Sequence, residues 1–571
     1  MNRNTNSHFA TNPTSIDMAR SRFSRNQSVK LTFNTGDIIP FYVDEVLPGD
    51  TMSVDTAKLV RMQTLLTPVM DNIYLDTYYF FVPNRLVWEH WKEFMGENND
   101  SAWLPTNSYS VPQISAPAST GWTVGTIADY FGIPTGVTGI KVNALPFRAY
   151  ALIMNDWFRS ENLTDPLNVP KNDSDQTGTN GSSYINDVAN GGMPFKAAKY
   201  FDYFTGALPS PQKGPDVAIT LAGLTGYAPV VGNGKGLGLS DGTTLGAARN
   251  SDLTAYASVY GLDVGDTTAG STALGNKVIG VPTATELGTH LEKSGLIADL
   301  SNVAGGETLI TINQLRDAFQ VQKFYEKSAR GGSRYIEILK SMFGVTSPDA
   351  RLQRPEYLGG NRIGININQV VQTSGTESGS TPQATTTAYS MTSDNHSDFT
   401  HSFTEHGFII GLMVARYDHT YQQGIERMWS RTTKFDYYWP LFANLGEQAI
   451  KNKEIYAQGS SVVNSDTGVA YDEEVFGYQE AWADYRYKPN RVAGEMRSTY
   501  ATSLDLWHLG DDYSQLPALS DQWLREDPSN VDRVLAVQSN VSAQFFADIY
   551  VHNVSTRAMP VYSIPGLIDH H

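Results

Sequence analysis

The stretch GNGKGLGLSDG, residues 232–242, has the residue types of a reactive site. Glycine-rich backbone beside Lys235 is the composition of a phosphate cradle. Gly238, Ser240 and Gly242 spell G-x-S-x-G, the pattern of a serine nucleophile held on a strained turn. Spacing removes the first possibility. A P-loop needs G-x-x-x-x-G-K and then a hydroxyl, but the first glycine position is Pro229 and the hydroxyl position is Gly236. The dinucleotide pattern G-x-G-x-x-G likewise fails at Leu237. Context weakens the second possibility. Glycine supplies 17 of the 89 residues from 218 to 306, so a serine with glycine two positions away on both sides arises cheaply by chance. The motif also works only between a strand and a helix, and neither GNGKGLGL nor DGTTLGAA has those propensities. An exposed loop without a nucleophile is expected.

Other reactive residues are equally poor as sites. His396, His401 and His406 recur every five residues, but no H-E-x-x-H occurs. On an extended chain His401 and His406 point to opposite faces and could not share an ion without a bulge. The acids of DEE (472–474) and DD (511–512) are adjacent, so they diverge, and solvated turns are expected. A glycosidase pair assembled across the fold is not visible in sequence. The clearest charge feature is N-terminal. Arg3, Arg20, Arg22, Arg25 and Lys30 stand against Asp17 alone, so residues 1–30 carry +4 and the remainder −21 of the net −17. These five are candidate contacts to a nucleic acid or an acidic partner, acting by charge without reading sequence.

The elements around these residues are mostly strands. β-rich runs occupy 29–50, broken at Gly36, then 51–66 and 72–84, and later 408–421 and 542–564. Helical spacing appears in RLVWEHWKEFMG (85–96), LPFRAYALIMNDWFRS (145–160), INQLRDAFQVQKFYEKSARGG (312–332) and RYIEILKSMFG (334–344). Residues 1–28 are polar and aperiodic, and an arm that orders only on a partner is expected. Residues 218–306 contain no Trp, Phe or Met, so they cannot build much core and suit an exposed insertion with short hairpins. A Ser/Thr-rich stretch at 373–398 predicts a long polar loop.

Composition narrows the class. Aromatics at 11% favour strands, while charged residues at 18% are few for so long a chain, which suggests surface covered by partners. The net charge of −17 disfavours a general nucleic-acid binder. There is no cysteine, which removes disulfides and thiolate metal sites. Apolar runs such as FIIGLMVA (408–415) are strand-length, well below the ~20 residues of a membrane span. No charged-then-apolar leader pattern opens the chain, and a soluble protein is expected.

Several long stretches resemble one family. They include FNTGDIIPFYVDEVLPGDT (33–51), PVMDNIYLDTYYFFVPNRLVWEHWKEFMGE (68–97), NALPFRAYALIMNDWFRSENL (143–163) and KYFDYFTGALPSPQKGPDV (199–217). RYIEILKSMFGVTSPDARLQRPEYLGG (334–360), HGFIIGLMVARYDHTYQQGIERMWSR (406–431), YQEAWADYRYKPNRVAGEMRS (478–498) and PGLIDH (565–570) continue the series. In these the chain resembles the major capsid proteins of the Microviridae, small single-stranded-DNA bacteriophages, in their gokushovirus branch.

The resemblance implies a mainly β fold, an eight-stranded antiparallel jelly roll with large inter-strand insertions and a few helices. The implied organisation is a basic arm at 1–28, jelly roll at 29–217, a protruding insertion at 218–306 and jelly roll again at 307–571. It implies a T=1 icosahedral shell of about 60 identical subunits in the virion, assembled in the bacterial cytoplasm around single-stranded DNA. A small basic DNA-packaging protein and a host-cell receptor are further implied partners, without membrane insertion. No catalytic residue, metal or cofactor is implied. Arg351, Arg354, Pro355 and Tyr357 in RLQRPEYLGG are candidate inter-subunit contacts, chosen because such residues tolerate partly wet interfaces. The competing classes are a secreted β-rich enzyme acting on polysaccharide, which lacks a leader and converging acids, and an adhesin, whose binding domain would have to be the core-poor 218–306.

Overall fold

Along TMSVDTAKLVRM the odd positions are mostly polar or small and the even positions mostly apolar, the period of a strand with one buried face. In the computed structural model, which describes residues 20–99, 107–215, 217, 312–371 and 386–562 with short strands between 224 and 305, this segment is a strand. Met52, Val54, Val60 and Met62 face inward. The main strands are β1 (Ser21–Ser24), β2 (Gln27–Phe33), β3 (Ile39–Val46), β4 (Thr51–Met62) and β5 (Ile73–Pro83). They continue as β6 (Glu356–Gly364), β7 (Thr392–Ser402), β8 (Gly407–Tyr417) and β9 (Phe545–Arg557).

They form two antiparallel sheets. In the first, β1 and β2 both pair with β9, followed by β4 and β7; the second runs β6–β5–β8–β3. From β2 to β9 the chain switches sheets at every step except β5 to β6. This is a jelly-roll-like connectivity, in which two packed sheets hide most of their edges. The inner faces share one core: Phe33 stacks on Phe545 at 5.1 Å and Tyr79 meets Phe399 at 5.4 Å.

The second sheet is buried on both faces. Its outer side packs against the insertion after β5, where the helix α1 (Leu145–Ile153) carries Phe147 and Tyr150 against Ile410, Leu412 and Val414. Burial on both sides explains why β8 reads as an unbroken apolar run instead of alternating.

Several expectations change. The helix expected over 85–96 is two short turns, Asn84–Val87 and Trp91–Phe94. The chain breaks between them because Trp88 turns extended and buries its ring, with Nε1 donating to Asp173 at 2.7 Å. Helix α1 ends in a wider turn, Met154–Phe158. Part of the expected 1–28 arm is already ordered: residues 21–33 lie along β9, whose edge offers main-chain partners that composition does not reveal. Part of the expected 373–398 loop is strand, Thr386–Ser390 and the start of β7. Threonine's branched side chain favours extended backbone, and an outward face tolerates its hydroxyl. Residues 1–19 and 372–385 lie outside the described residues.

The chain divides into two compact units, one of Met1–Pro215 with Phe324–His571 and one of Asp216–Lys323. Among its described residues the second contains three short antiparallel pairs, Leu224–Thr225 with Ala304–Gly305, Val230–Gly232 with Leu296–Ala298, and Gly238–Ser240 with Leu245–Ala247. A 20-residue helix, α2 (Ile312–Gly331), follows.

Candidate assembly and nucleic-acid surfaces

Ser240 ends a strand that pairs antiparallel with Leu245–Ala247. A nucleophile elbow needs a helix after the serine, and the next described element is a strand. Lys235 lies outside the described residues.

The N-terminal cations divide by environment. Arg3 lies outside the described residues. Arg20 and Arg22 are exposed, with Arg22 opposite Thr556 of β9. Arg25 is committed within the chain: both terminal nitrogens sit 2.6 Å from the Asp44 carboxylate, which also accepts from Tyr42 and Asn553. This bidentate pair fastens the N-terminal strand to β3 and β9. Lys30 extends into solvent with Nζ 3.4 Å from Asp548, a pair worth little because water screens it. The outer face of the first sheet around Lys30 also carries Phe546, Tyr550 and His552 from β9 and Arg61 from β4.

The segment 351–357 splits in the same way. Arg354 turns inward, its guanidinium 4.2 Å above the Trp157 ring, paired with Asp349 at 3.4 Å and donating to the Asp156 carbonyl at 3.0 Å. The Pro355 carbonyl accepts from Trp157 Nε1 at 3.0 Å. Arg351 is exposed, and Tyr357 is half in water with its ring against Phe80 and Trp157. Outward contact is therefore open to Arg351 and Tyr357, while Arg354 and Pro355 shape the turn behind them.

The reason for the following Gly359-Gly360 is steric. A Cβ on Gly360 would lie 2.0 Å from the Thr77 carbonyl, and one on Gly359 2.2 Å from that of Asp398. Gly360 lets β6 approach β5 and Gly359 lets it approach β7, next to a bulge between Tyr357 and Gly359.

The acids and histidines are held in structural roles. Asp472 accepts from the Gln458 and Gly459 amides, both at 2.8 Å, and Glu473 pairs with Lys451 and with Lys453. His401 lies 3.9 Å from Glu356, and the His406 ring meets Trp91. Asp511 corrects the expectation of a solvated turn: it is buried beside His419, Tyr513, Asn530 and Lys199. Glu526 approaches the other face of His419 at 3.1 Å. Burial opposes charge on His419, but Glu526 and Asp511 outweigh it and push the imidazole up to about 9. Burial would raise Asp511, yet His419 and Lys199 hold it well below the usual carboxylate range. Sequence gave no sign of this cluster, because its members come from four separate segments.

A second such knot centres on Asp76, gripped by Arg362 at 2.6 Å and Arg416 at 2.5 Å, both stacked over Tyr200. Burial raises the Asp76 pKa, but the two arginines lower it further and keep it ionised. Both knots hold separate segments together. Among the described residues no group of three or more His, Cys, Asp and Glu side chains is arranged to hold a metal ion.

The comparisons agree with this structural character. The capsid protein (F protein) family matches residues 11–567. Capsid protein VP1 of Spiroplasma virus 4 is 44% identical over 541 residues, covering 94% of this chain and 93% of that protein. Capsid protein VP1 of Chlamydia phage 1 is 42% identical, covering 98% and 97%. Capsid protein VP1 of Bdellovibrio phage phiMH2K is 41% identical, covering 98% of both. Matched along almost its whole length and built, among the described residues, as a sandwich of two antiparallel sheets tied by structural ion pairs, the chain belongs to the phage capsid protein (F protein) family, in the gokushovirus branch of the Microviridae, and its role is structural, not enzymatic.

Proposed function

We propose that about 60 copies of this chain close into a T=1 icosahedral shell around a single-stranded DNA genome. The observation that carries this is the near-complete match to capsid proteins by a chain whose described strands form a closed-up sandwich. Repeated contacts between identical surfaces let each individual interface be weak, because loss of one subunit breaks several at once. The acidic bulk is ill suited to neutralising packaged DNA, so a separate small basic protein supplies most of the counter-charge. Arg20 and Arg22, which make no ion pair among the described residues, are the chain's own candidates for touching DNA or that protein. Arg351 and Tyr357 are candidates for contacts between neighbouring subunits. Assembly takes place in the bacterial cytoplasm, where the absence of cysteine is no handicap.

Residues 218–306 are proposed to protrude and meet a host receptor. Their poverty in large apolar side chains and their place in a separate compact unit, Asp216–Lys323, support that role. Image reconstruction of the purified, assembled protein tests the whole scheme. Uniform shells with about 60 subunits in icosahedral symmetry are expected. Monodisperse monomers that hydrolyse polysaccharide would replace the scheme with the enzyme alternative.

A further inference from the structure

The segment from Arg427 to Leu445 keeps an unusual number of large apolar side chains in water. Leu441 is 87% exposed, Trp429 72%, Phe435 61%, Leu445 55%, Tyr437 51% and Trp439 49%. With the 150–250 Å² that an aromatic side chain presents, the four rings leave roughly 450–500 Å² uncovered. The two leucines raise this to roughly 700 Å², close to the ~800 Å² that each partner gives to a stable protein interface.

This segment is held in one shape. Arg427 pairs with Glu454 at 2.8 Å, and Arg431 pairs with Asp484 while lying over the Tyr437 and Tyr485 rings. Asp436 accepts from the Thr433 amide at 2.6 Å and the Thr432 amide at 2.9 Å. Trp439 Nε1 donates to the Lys434 carbonyl at 2.8 Å, and Trp482 Nε1 donates to that of Phe442 at 3.0 Å. Trp482 itself holds a left-handed backbone, φ 67°, with its ring buried, a strained conformation that the packing around it maintains. Apolar side chains fixed outward on a braced backbone are pre-organised for docking. The charges point to a protein as occupant: Arg427 and Arg431 are neutralised inside the chain, and Lys434 is the one other cation of the segment, too few to grip a DNA backbone.

We infer that the Arg427–Leu445 segment docks onto a second copy of this chain, with Leu441 and Trp429 as its anchors. The inference rests on the capsid role, which supplies a neighbouring copy for every subunit. It adds a contact surface separate from Arg351 and Tyr357, and one that is apolar where that pair is polar.

The cysteine-free sequence provides the test. A Leu441→Cys variant of the full chain carries a single thiol, and its reaction with a maleimide is timed in assembled shells and in dissociated, folded subunits. Labelling about tenfold slower in shells is expected, since the thiol reacts only when a contact opens. Equal rates in intact shells overturn the inference and leave the capsid role untouched. Protection that appears only after another protein is added assigns the surface to that protein and also overturns it. A variant that folds by circular dichroism but does not assemble supports the contact. Should the variant misfold, hydroxyl-radical oxidation of Trp429 in the unaltered protein decides, with protection in shells expected and equal oxidation overturning the inference. Failure of the unaltered chain to form shells at all is a different outcome, and it removes the capsid role together with this contact.

Discussion

His419 Nδ1 lies 2.9 Å from the Asp511 carboxylate, which enters the cluster from 92 residues further along the chain. Glu526 holds the other ring nitrogen at 3.1 Å, and Lys199 lies 3.7 Å from the Asp511 carboxylate. The imidazole is thus held charged by two carboxylates although its surroundings exclude water.

This arrangement makes stability depend on pH. The folded-state pKa of His419, about 9, is above the ordinary ~6.5, so its contribution is complete below pH 6.5 and is lost as pH rises through 9. Asp511 has the opposite sign: its pKa is depressed, so its contribution is present above the ordinary carboxylate range and lost in acid. Thermal unfolding midpoints measured from pH 4 to 10 are expected to fall between pH 7 and 9.5 in the unaltered chain. The fall should be much smaller in His419→Gln. Parallel curves for the two proteins would show that another group controls alkaline stability.

Glu526→Gln keeps the shape of the side chain but removes one of the two anions around His419. Breaking a buried pair from one side leaves an uncompensated charge, and a loss of about 3 kcal/mol is expected. Denaturant midpoints of folded subunits measure it. The loss should shrink in a His419→Gln background, because the cation that needed the acid is then absent.

Gly360→Ala should push β6 away from β5. The new Cβ meets the Thr77 carbonyl at 2.0 Å, a backbone atom that cannot rotate aside. A destabilisation of about 2 kcal/mol or more is expected, read as faster amide exchange along Glu356–Gly364. Exchange equal to that of the unaltered protein would mean that the sheet absorbs the methyl group.

The double change Arg20→Ala with Arg22→Ala should leave folding intact, because both side chains are exposed. Binding of single-stranded DNA should weaken, with the slope of log affinity against log salt falling by roughly 1.4 for two lost phosphate contacts. An unchanged slope would assign these cations to another partner or to none. Arg25→Ala should behave differently, loosening the N-terminal strand by releasing Asp44.

Deleting residues 218–306 with a short flexible bridge should give shells of normal size that attach poorly to host cells. Particle counts by electron microscopy and adsorption assays separate the two effects. Loss of assembly would show instead that the second unit belongs to the shell wall.

Sequence alone determined several of the main strands and the failure of the local catalytic motifs. The period-two pattern of TMSVDTAKLVRM, the aromatic runs of NIYLDTYYFFVPN and the unbroken FIIGLMVA are local properties, and they name strands β4, β5 and β8 before any fold is known. The failed spacing around Lys235 and Ser240 is local too, and the long family-like stretches already pointed to a capsid. What the sequence could not supply depends on partners far away along the chain. Arg354 turns inward because Trp157 offers a ring, Asp511 is buried because His419 and Lys199 neutralise it, and residues 21–28 are ordered because β9 has an edge to pair. Trp429 and Leu441 carry the large apolar side chains that ordinarily fill a core. Only the tertiary structure shows that the core closes without them, because burial is decided by the three-dimensional neighbours of a side chain and not by its own hydrophobicity.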